Sequence, residues 1–354
     1  MTMVTSIAAP AFADAYGIAL YGTHYLDQGN ITVEVRGGQY YVNDVLDDGP
    51  VIIKNHEDES DTTSVSNTIT IHAEDGEANV TLKDVDIVTN GEANKSGITV
   101  KADKTKTATA TVNVTLDNVT VDAREDASSE GATGGAGMTI QGNGVVNIEL
   151  DGKNELLAGD GHAGLEKNRT ESVGSLNIND SNEDGGSLTA IGGDGGAGIG
   201  GGKGDMGSGL YILNGTVNAY GKGGGAGIGG GDGAGAHMVG LNAGVPGVND
   251  AYEPTVTAVG SEGAAGIGGG KGGRLTDAVL SSGTLTGTME TLEYLQAHGA
   301  QTIVFTTSQR TSSFQISDLL ALADEGDVFY LTHTEANEPT LLVVTSDHTD
   351  LLEG

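Results

Sequence analysis

The sequence predicts an all-β chain wound as a right-handed parallel β-helix (solenoid), with a small mixed α/β cap at its C-terminal end. Two repeats and the composition support this prediction. AGIGGG occurs at 197–202, 226–231 and 265–270, and NVTLKDV, NVTLDNV and NIELDGK begin at 79, 113 and 147. With 60 glycines, 4 phenylalanines and no tryptophan, the chain favours narrow stacks of aliphatic side chains over one thick core.

The N-terminal region divides into two predicted parts. Residues 1–15 are interpreted as the remnant of a signal peptide, because Val4 to Ala13 is apolar and ends in small residues. Residues 16–75 are predicted to form N-terminal coils and a polar cap. Their strands are expected in GNITVEVRGGQYYVND and NTITIHAEDG, on either side of a solvated acidic loop.

The central region, 76–285, is predicted to be a glycine-rich parallel β-helix. Apolar and polar residues alternate in the NVTL strings, which is the period of a strand with one buried face. Glycines supply the corners between strands, where positive φ or close backbone approach is needed. Ile199, Ile228 and Ile267 are predicted to stack as an inward-facing column. Residues 232–254 are interpreted as an insertion in place of a short turn.

The last region, 286–354, is predicted to be an α/β cap, because glycine becomes less frequent and the pattern changes. Helices are expected from Thr288 to His298, with Gly299 as the stop, and after Ser317-Asp318. Strands are expected in TIVFTT at 302–307, VFYLTH at 328–333 and TLLVVT at 340–345.

Charge and composition limit the functions that the chain can serve. The formal net charge is -33, which disfavours binding to nucleic acid phosphates. The chain has no cysteine, so disulfides, thiol catalysis and thiolate metal sites are excluded. After the N-terminal segment, no apolar run reaches the roughly 18 residues of a membrane-spanning helix. A secreted or extracellular protein, free or attached to the cell surface, is expected.

Candidate site residues cluster around the glycine corners. Asp194, Asp205 and Asp232 stand in or beside these corners, where carboxylates and free backbone carbonyls form the oxygen ligands that calcium prefers. The alternative is that they are solvated turn residues. For glycan binding the candidates are the rings of Tyr211, Tyr220 and Tyr252, which equally suit a plain outer surface.

Two strings carry a resemblance to a known family. SLTAIGGDGGAGIGGG at 187–202 and GTVNAYGKGGGAGIGGG at 215–231 resemble the glycine-rich repeats of carbohydrate-binding parallel β-helix domains of bacterial cell-surface and secreted proteins. NIELDGKNELLAGDGHAGLEKN at 147–168 is similar to the coil that precedes those repeats. The resemblance covers about 79–285, and it implies a glycan-binding role, with acidic plant polysaccharide as the ligand of some relatives.

The first functional hypothesis is therefore a secreted or surface carbohydrate-binding or adhesive module without catalytic activity. The second is a structural filament or spacer that assembles by stacking of solenoid ends. A polysaccharide lyase or glycosidase is the third, because many β-helices are such enzymes. The sequence lacks the RxPxxR string of pectate lyases and the NTD string of polygalacturonases. Gly161-His162-Ala163 comes nearest to the GHG string of polygalacturonases, and His162 is interpreted as a surface residue of the coil.

Overall fold

A computed structural model of the chain describes residues 22–89, 92–105, 108–124, 134–182, 184–241, 254–272, 278–280, 282–288, 293, 296, 302–306, 311–322, 328–334 and 341–344. It is nearly all β with large sheets of parallel strands, which confirms the predicted all-β class. The predicted signal segment at 1–15 and the predicted ligand residue Tyr252 lie outside the described residues.

Most strands belong to three ladders, in which a strand pairs in parallel with its equivalent one repeat later. The first ladder runs in the order β1 Thr23–Tyr25, β5 Val51–Lys54, β7 Glu77–Val88, β9 Thr111–Ala123, β11 Val145–Asp151, β14 Ser175–Asn179, β17 Gly207–Ile212, β20 Ala236–Leu241 and β23 Ala278–Leu280. The NVTL strings align residue for residue in it, since Asn79 pairs with Asn113 and Asn113 with Asn147.

The second ladder begins at the C-terminal halves of β7 and β9. It continues through β12 Lys153–Ala158, β15 Ser187–Asp194, β18 Thr216–Lys222, β21 Thr255–Val259 and β24 Ser282–Thr288. The two ladders meet where Asp84 and Asn118 have positive φ, and Gly152 occupies the same place one repeat later, between β11 and β12. Asparagine, aspartate and glycine tolerate this left-handed backbone better than other residues do.

The third ladder contains the shortest strands. Its order is β2 Ile31–Arg36, β6 Ile69–Ala73, β8 Ile98–Ala102, β10 Met138–Gln141, β13 Leu165–Glu166, β16 Ile199–Gly200, β19 Ile228–Gly229 and β22 Ile267–Gly268. At its N-terminal edge, β3 Gln39–Val42 and β4 Val45–Asp47 add antiparallel strands. The β2–β3 turn uses Gly37 and Gly38, both with positive φ, as a two-residue hairpin requires.

The core is built from columns of aliphatic side chains. Ile199, Ile228 and Ile267 pair in register and are 0%, 0% and 5% exposed, so the predicted inward column is confirmed. The column continues back along the third ladder through equivalent buried residues, namely Leu165, Met138, Ile98, Ile69 and Ile31. Each side chain packs on its counterparts in the neighbouring repeats, and the column belongs to one core cluster with the inward side chains of the other two ladders.

The glycine corners allow successive repeats to stack at very short range. A Cβ atom at Gly196 would overlap the carbonyl oxygen of His162, and one at Gly225 would overlap the carbonyl oxygen of Gly196. The backbones also bond to each other, since the Lys222 amide donates to the Gly196 carbonyl at 3.1 Å. Glycine is needed here because the neighbouring backbone occupies the space of a side chain.

The insertion predicted at 232–254 is shorter than the sequence suggests. Ala236–Leu241 forms strand β20, which pairs in parallel with β17 and β23, so the first part of this segment belongs to the first ladder. Glycine and alanine conceal the strand pattern in GAGAHMVGL. Residues 242–253 lie outside the described part of the chain.

The C-terminal region contains both strands and helix, as expected. β25 Thr302–Thr306 pairs antiparallel with β26 Thr311–Gln315 and β28 Leu341–Val344, and β27 Val328–Thr334 pairs antiparallel with β24. Helix α1, Ile316–Leu322, matches the helix predicted after Ser317. The helix predicted from Thr288 begins later, because Thr288 ends β24; of its remaining residues, Glu293 and Gln296 are described and helical.

Shortening one residue of the core column is expected to destabilise the whole stack. Ile228→Ala removes a fully buried side chain between Ile199 and Ile267, and the cavity should lower the free energy of unfolding by about 2–5 kcal/mol. Urea unfolding followed by circular dichroism measures this loss. Val173→Ala, at a side chain that is 65% exposed, is the control and should change stability by no more than about 0.5 kcal/mol. Equal effects of the two substitutions would contradict the stacked core.

Candidate ligand-binding surfaces

The outer face of the second ladder carries an uncharged patch on three neighbouring strands. β15, β18 and β21 place their outward residues in three columns in register. The residues of this patch, called the Tyr220 patch below, are Ser187, Thr216 and Thr255 in the first column, Thr189, Asn218 and Thr257 in the second, and Ile191, Tyr220 and Val259 in the third. Thr255 is exposed and the others are partly exposed.

The composition of the Tyr220 patch differs from that of the chain around it. None of its nine side chains is charged, although the chain carries a net charge of -33. Charged side chains border it, since Lys153 and Glu155 on the adjacent strand pair with Ser187 and Thr189, and Asp194 and Lys222 lie at the ends of β15 and β18. The patch therefore offers hydroxyl and amide groups beside an apolar strip that contains one aromatic ring. Such a combination binds sugars, whose hydroxyls need hydrogen bonds and whose C–H faces stack on rings.

The outer face of the first ladder carries a column of asparagines. Their amides form a chain of hydrogen bonds, from Asn113 to Asn79 at 2.8 Å, from Asn147 to Asn113 at 2.7 Å and from Asn177 to Asn147 at 2.7 Å. Tyr211 takes the next position in register after Asn177. Because these amide groups already bond to one another, the column stabilises the ladder more than it offers free groups to a ligand.

Tyrosines lie at both ends of the asparagine column. The backbone N–H of Asn79 donates to the Tyr40 hydroxyl oxygen at 2.8 Å, and that hydroxyl donates to the backbone carbonyl of Glu77 at 3.3 Å. Burial raises the pKa of Tyr211. The predicted ligand residues Tyr211 and Tyr220 thus face outward on two different ladders.

The predicted calcium ligands lie among lysines. Asp194 pairs in register with Lys222. The Asp232 amide donates to the Gly195 carbonyl at 2.8 Å, and the stem of Lys203 packs beside Gly195. Lys203 and Lys222 therefore lie close to these aspartates, which weakens the attraction of the carboxylates for a cation.

The Asp205 carboxylate accepts a hydrogen bond from the Thr170 hydroxyl at 2.9 Å. Across the described residues, no three histidine or acidic side chains gather closely enough to hold a metal ion. The calcium site at Asp194, Asp205 and Asp232 stays a prediction.

The sequence interpretation missed a buried polar cluster just before the glycine repeats. His162, expected to be a surface residue, has a side chain that is only 21% exposed, and its Nδ1 lies 3.0 Å from Oε2 of Glu166, whose side chain is 6% exposed. His162 Nε2 lies 3.1 Å from Oδ1 of Asn94. Two acceptors at the two ring nitrogens favour the doubly protonated imidazolium, and the Glu166 hydrogen bond raises the pKa of His162.

Lys167 is fully buried beside this cluster. Its ammonium donates to the Ser208 carbonyl at 2.6 Å and to the Ser172 carbonyl at 3.3 Å. Burial lowers the pKa of Lys167 to about 8. One sequence signal marks the cluster: AGLEKN at 163–168 aligns with AGIGGG at 197–202, so charged and amide side chains stand where later repeats have glycine.

Comparison with protein-family models, curated proteins and solved structures gave no match. In the described part of the chain, no helix is both long and apolar enough to cross a membrane.

The His162–Glu166 pair is expected to make stability depend on pH. The pKa of His162 is raised in the folded protein. Its contribution to the free energy of unfolding is therefore fully present below the unfolded pKa of about 6.5 and is lost as the pH rises through the folded pKa. His162→Gln keeps a donor for Glu166 but cannot titrate. Urea unfolding at pH 5.5 and 8.5 should show the native protein losing stability relative to the variant at the higher pH. If the two proteins differ in unfolding free energy by the same amount at both pH values, the pKa of His162 is not raised by Glu166.

Lys167 should produce a pH dependence of the opposite sign. Its folded pKa of about 8 lies below the value of 10.5 for a free lysine, so the unfolded chain binds more protons between these limits and stability rises with pH there. The rise should total about 3 kcal/mol over the full span between the two pKa values, with about 2 kcal/mol of it between pH 7.5 and 9.5, and be missing in Lys167→Met. Unfolding titrations of both proteins at pH 7.5, 8.5 and 9.5 test this; parallel curves would mean that Lys167 titrates normally.

Proposed function

We propose that the chain is a secreted or cell-surface carbohydrate-binding module without catalytic activity, and that the Tyr220 patch is its ligand site. The observation that carries the proposal is the uncharged patch of nine side chains, in which Tyr220 lies among threonine and asparagine side chains on a strongly acidic protein. A neutral glycan suits this surface because binding it removes no charge from water.

The proposal includes a right-handed parallel β-helix as the scaffold. Three ladders of parallel strands, with each strand paired one repeat later, support a chain that winds through the ladders in turn. Crossover connections between parallel strands are right-handed in about 98% of cases, which favours that hand here. Such a scaffold fixes the outward side chains of β15, β18 and β21 without help from mobile loops.

The buried polar cluster supports a non-catalytic role for its residues. Glu166 Oε2 accepts hydrogen bonds from His162 and from the Ala163 amide, and Glu166 Oε1 accepts one from the Asn168 side chain. A carboxylate held in this way, with 6% of its side chain exposed, is engaged in supporting the turn. A general acid or base must instead reach the substrate.

Assembly into filaments is a second candidate, because the described N-terminal edge carries two exposed apolar side chains. Val45 and Leu46 are 68% and 59% exposed on β4, which is the edge strand of this sheet beyond β2 and β3. Exposed strand edges pair readily with other chains. Filaments in electron micrographs of concentrated protein, together with no glycan binding, would favour this candidate.

A pair of matched substitutions tests the glycan site. Tyr220→Ala and Tyr211→Ala each remove a partly exposed, outward-facing ring, but from different ladders. Affinity for the best ligand in a panel of neutral and acidic polysaccharides should fall about tenfold or more with Tyr220→Ala, because a stacked ring is lost, and should be unchanged with Tyr211→Ala. Isothermal titration calorimetry measures the affinity, and thermal melting confirms that both variants are folded.

The same panel is run with and without a calcium chelator and assayed for released sugars. Retention that survives chelation supports binding by the Tyr220 patch alone, whereas loss of retention would point to calcium at Asp194 and Asp232. Release of products would contradict the non-catalytic proposal. Loss of binding with Tyr211→Ala, but not with Tyr220→Ala, would move the site to the first ladder.

A further inference from the structure

The columns of the Tyr220 patch define a direction, and this inference rests on the proposed function. Ile191 pairs in register with Tyr220, and Tyr220 with Val259, so their side chains form an apolar strip that crosses three strands. On β12 the next position in register is Leu157, which is only 7% exposed, so the exposed strip ends at Ile191 on β15. The strip therefore runs along the stacking direction of the repeats and not along any strand.

The polar columns run in the same direction as the apolar strip. Thr189, Asn218 and Thr257 lie in register immediately beside it. A ligand lying along one strand would meet one apolar residue and then leave the strip. A ligand lying across the strands meets three apolar residues on one side and three hydrogen-bonding side chains on the other. A sugar chain has the same arrangement, with C–H faces bordered by hydroxyl groups.

The spacing of the strands sets the repeat of the ligand. Neighbouring strands in a sheet are about 4.7–4.9 Å apart, which is close to the length of one pyranose unit in an extended chain. We infer that the Tyr220 patch binds a three-unit stretch of an extended neutral polysaccharide lying across the strands, with one sugar unit on each of β15, β18 and β21.

A length series tests this inference. The probes are β-1,4-linked gluco- and xylo-oligosaccharides of two to six units, which are extended, and α-1,4-linked gluco-oligosaccharides, which coil. Affinity measured by calorimetry should rise about threefold or more from two to three units, because one further apolar contact forms, and then level off. The α-linked series should show no such step.

Val259→Asp removes the last apolar position of the strip. The affinity of this variant for the trisaccharide should fall to its affinity for the disaccharide, and its affinity for the disaccharide should equal that of the native protein. Thr81→Asp, on the outer face of the first ladder, is the matched control and should leave the whole series unaltered. Val259→Thr keeps the β-branched shape and replaces the aspartate variant if thermal melting shows that the latter is unfolded.

The outcomes separate this inference from the proposed function. If Tyr220→Ala abolishes binding of a polysaccharide but affinity is independent of length, or if Val259→Asp leaves binding of three units unchanged, the orientation is wrong and the site stands. If no polysaccharide or oligosaccharide binds, the proposed function itself fails.

Discussion

Stacking of equivalent side chains in register is the interaction on which this structure depends. In the aliphatic column from Ile31 to Ile267, each member packs on the same position of the preceding and following repeats, within one core that also contains the inward side chains of the other two ladders. A shift of one residue in the register of any pairing would move every side chain of that strand to the opposite face and expose its apolar side chains. Strong coupling between neighbouring repeats follows.

The same register organises the outside of the molecule. Because side chains alternate between the two faces of a strand, fixing the inward column also fixes the outward columns. The hydrogen-bonded asparagines on the first ladder and the uncharged Tyr220 patch on the second are both consequences of one pairing scheme. A long, rigid and repetitive surface of this kind suits a polymeric ligand better than a small molecule, which needs an enclosing cavity.

Departures from the repeat are concentrated where glycine is replaced. Glu166, Lys167 and Asn168 occupy the positions that hold glycine one repeat later, and their side chains fill the space with hydrogen bonds. Lys167 is costly to bury as a cation, as its lowered pKa indicates, yet two backbone carbonyls hold it. This cluster marks the transition from the long strands of the first repeats to the two-residue strands of the glycine repeats.

The sequence by itself determined the all-β class, the repeats and the alternation that makes Ile199 an inward and Tyr220 an outward residue, because these depend on local periodicity and on spacing along the chain. It did not separate Tyr211 from Tyr220. Alternation shows whether a side chain faces in or out. The bend at Gly215, with φ of 86°, separates β17 from β18 and so places Tyr211 on the first ladder and Tyr220 on the second. The burial of Lys167 and the pairing of Asp194 with Lys222 likewise arise from contacts between repeats, which only the tertiary structure fixes.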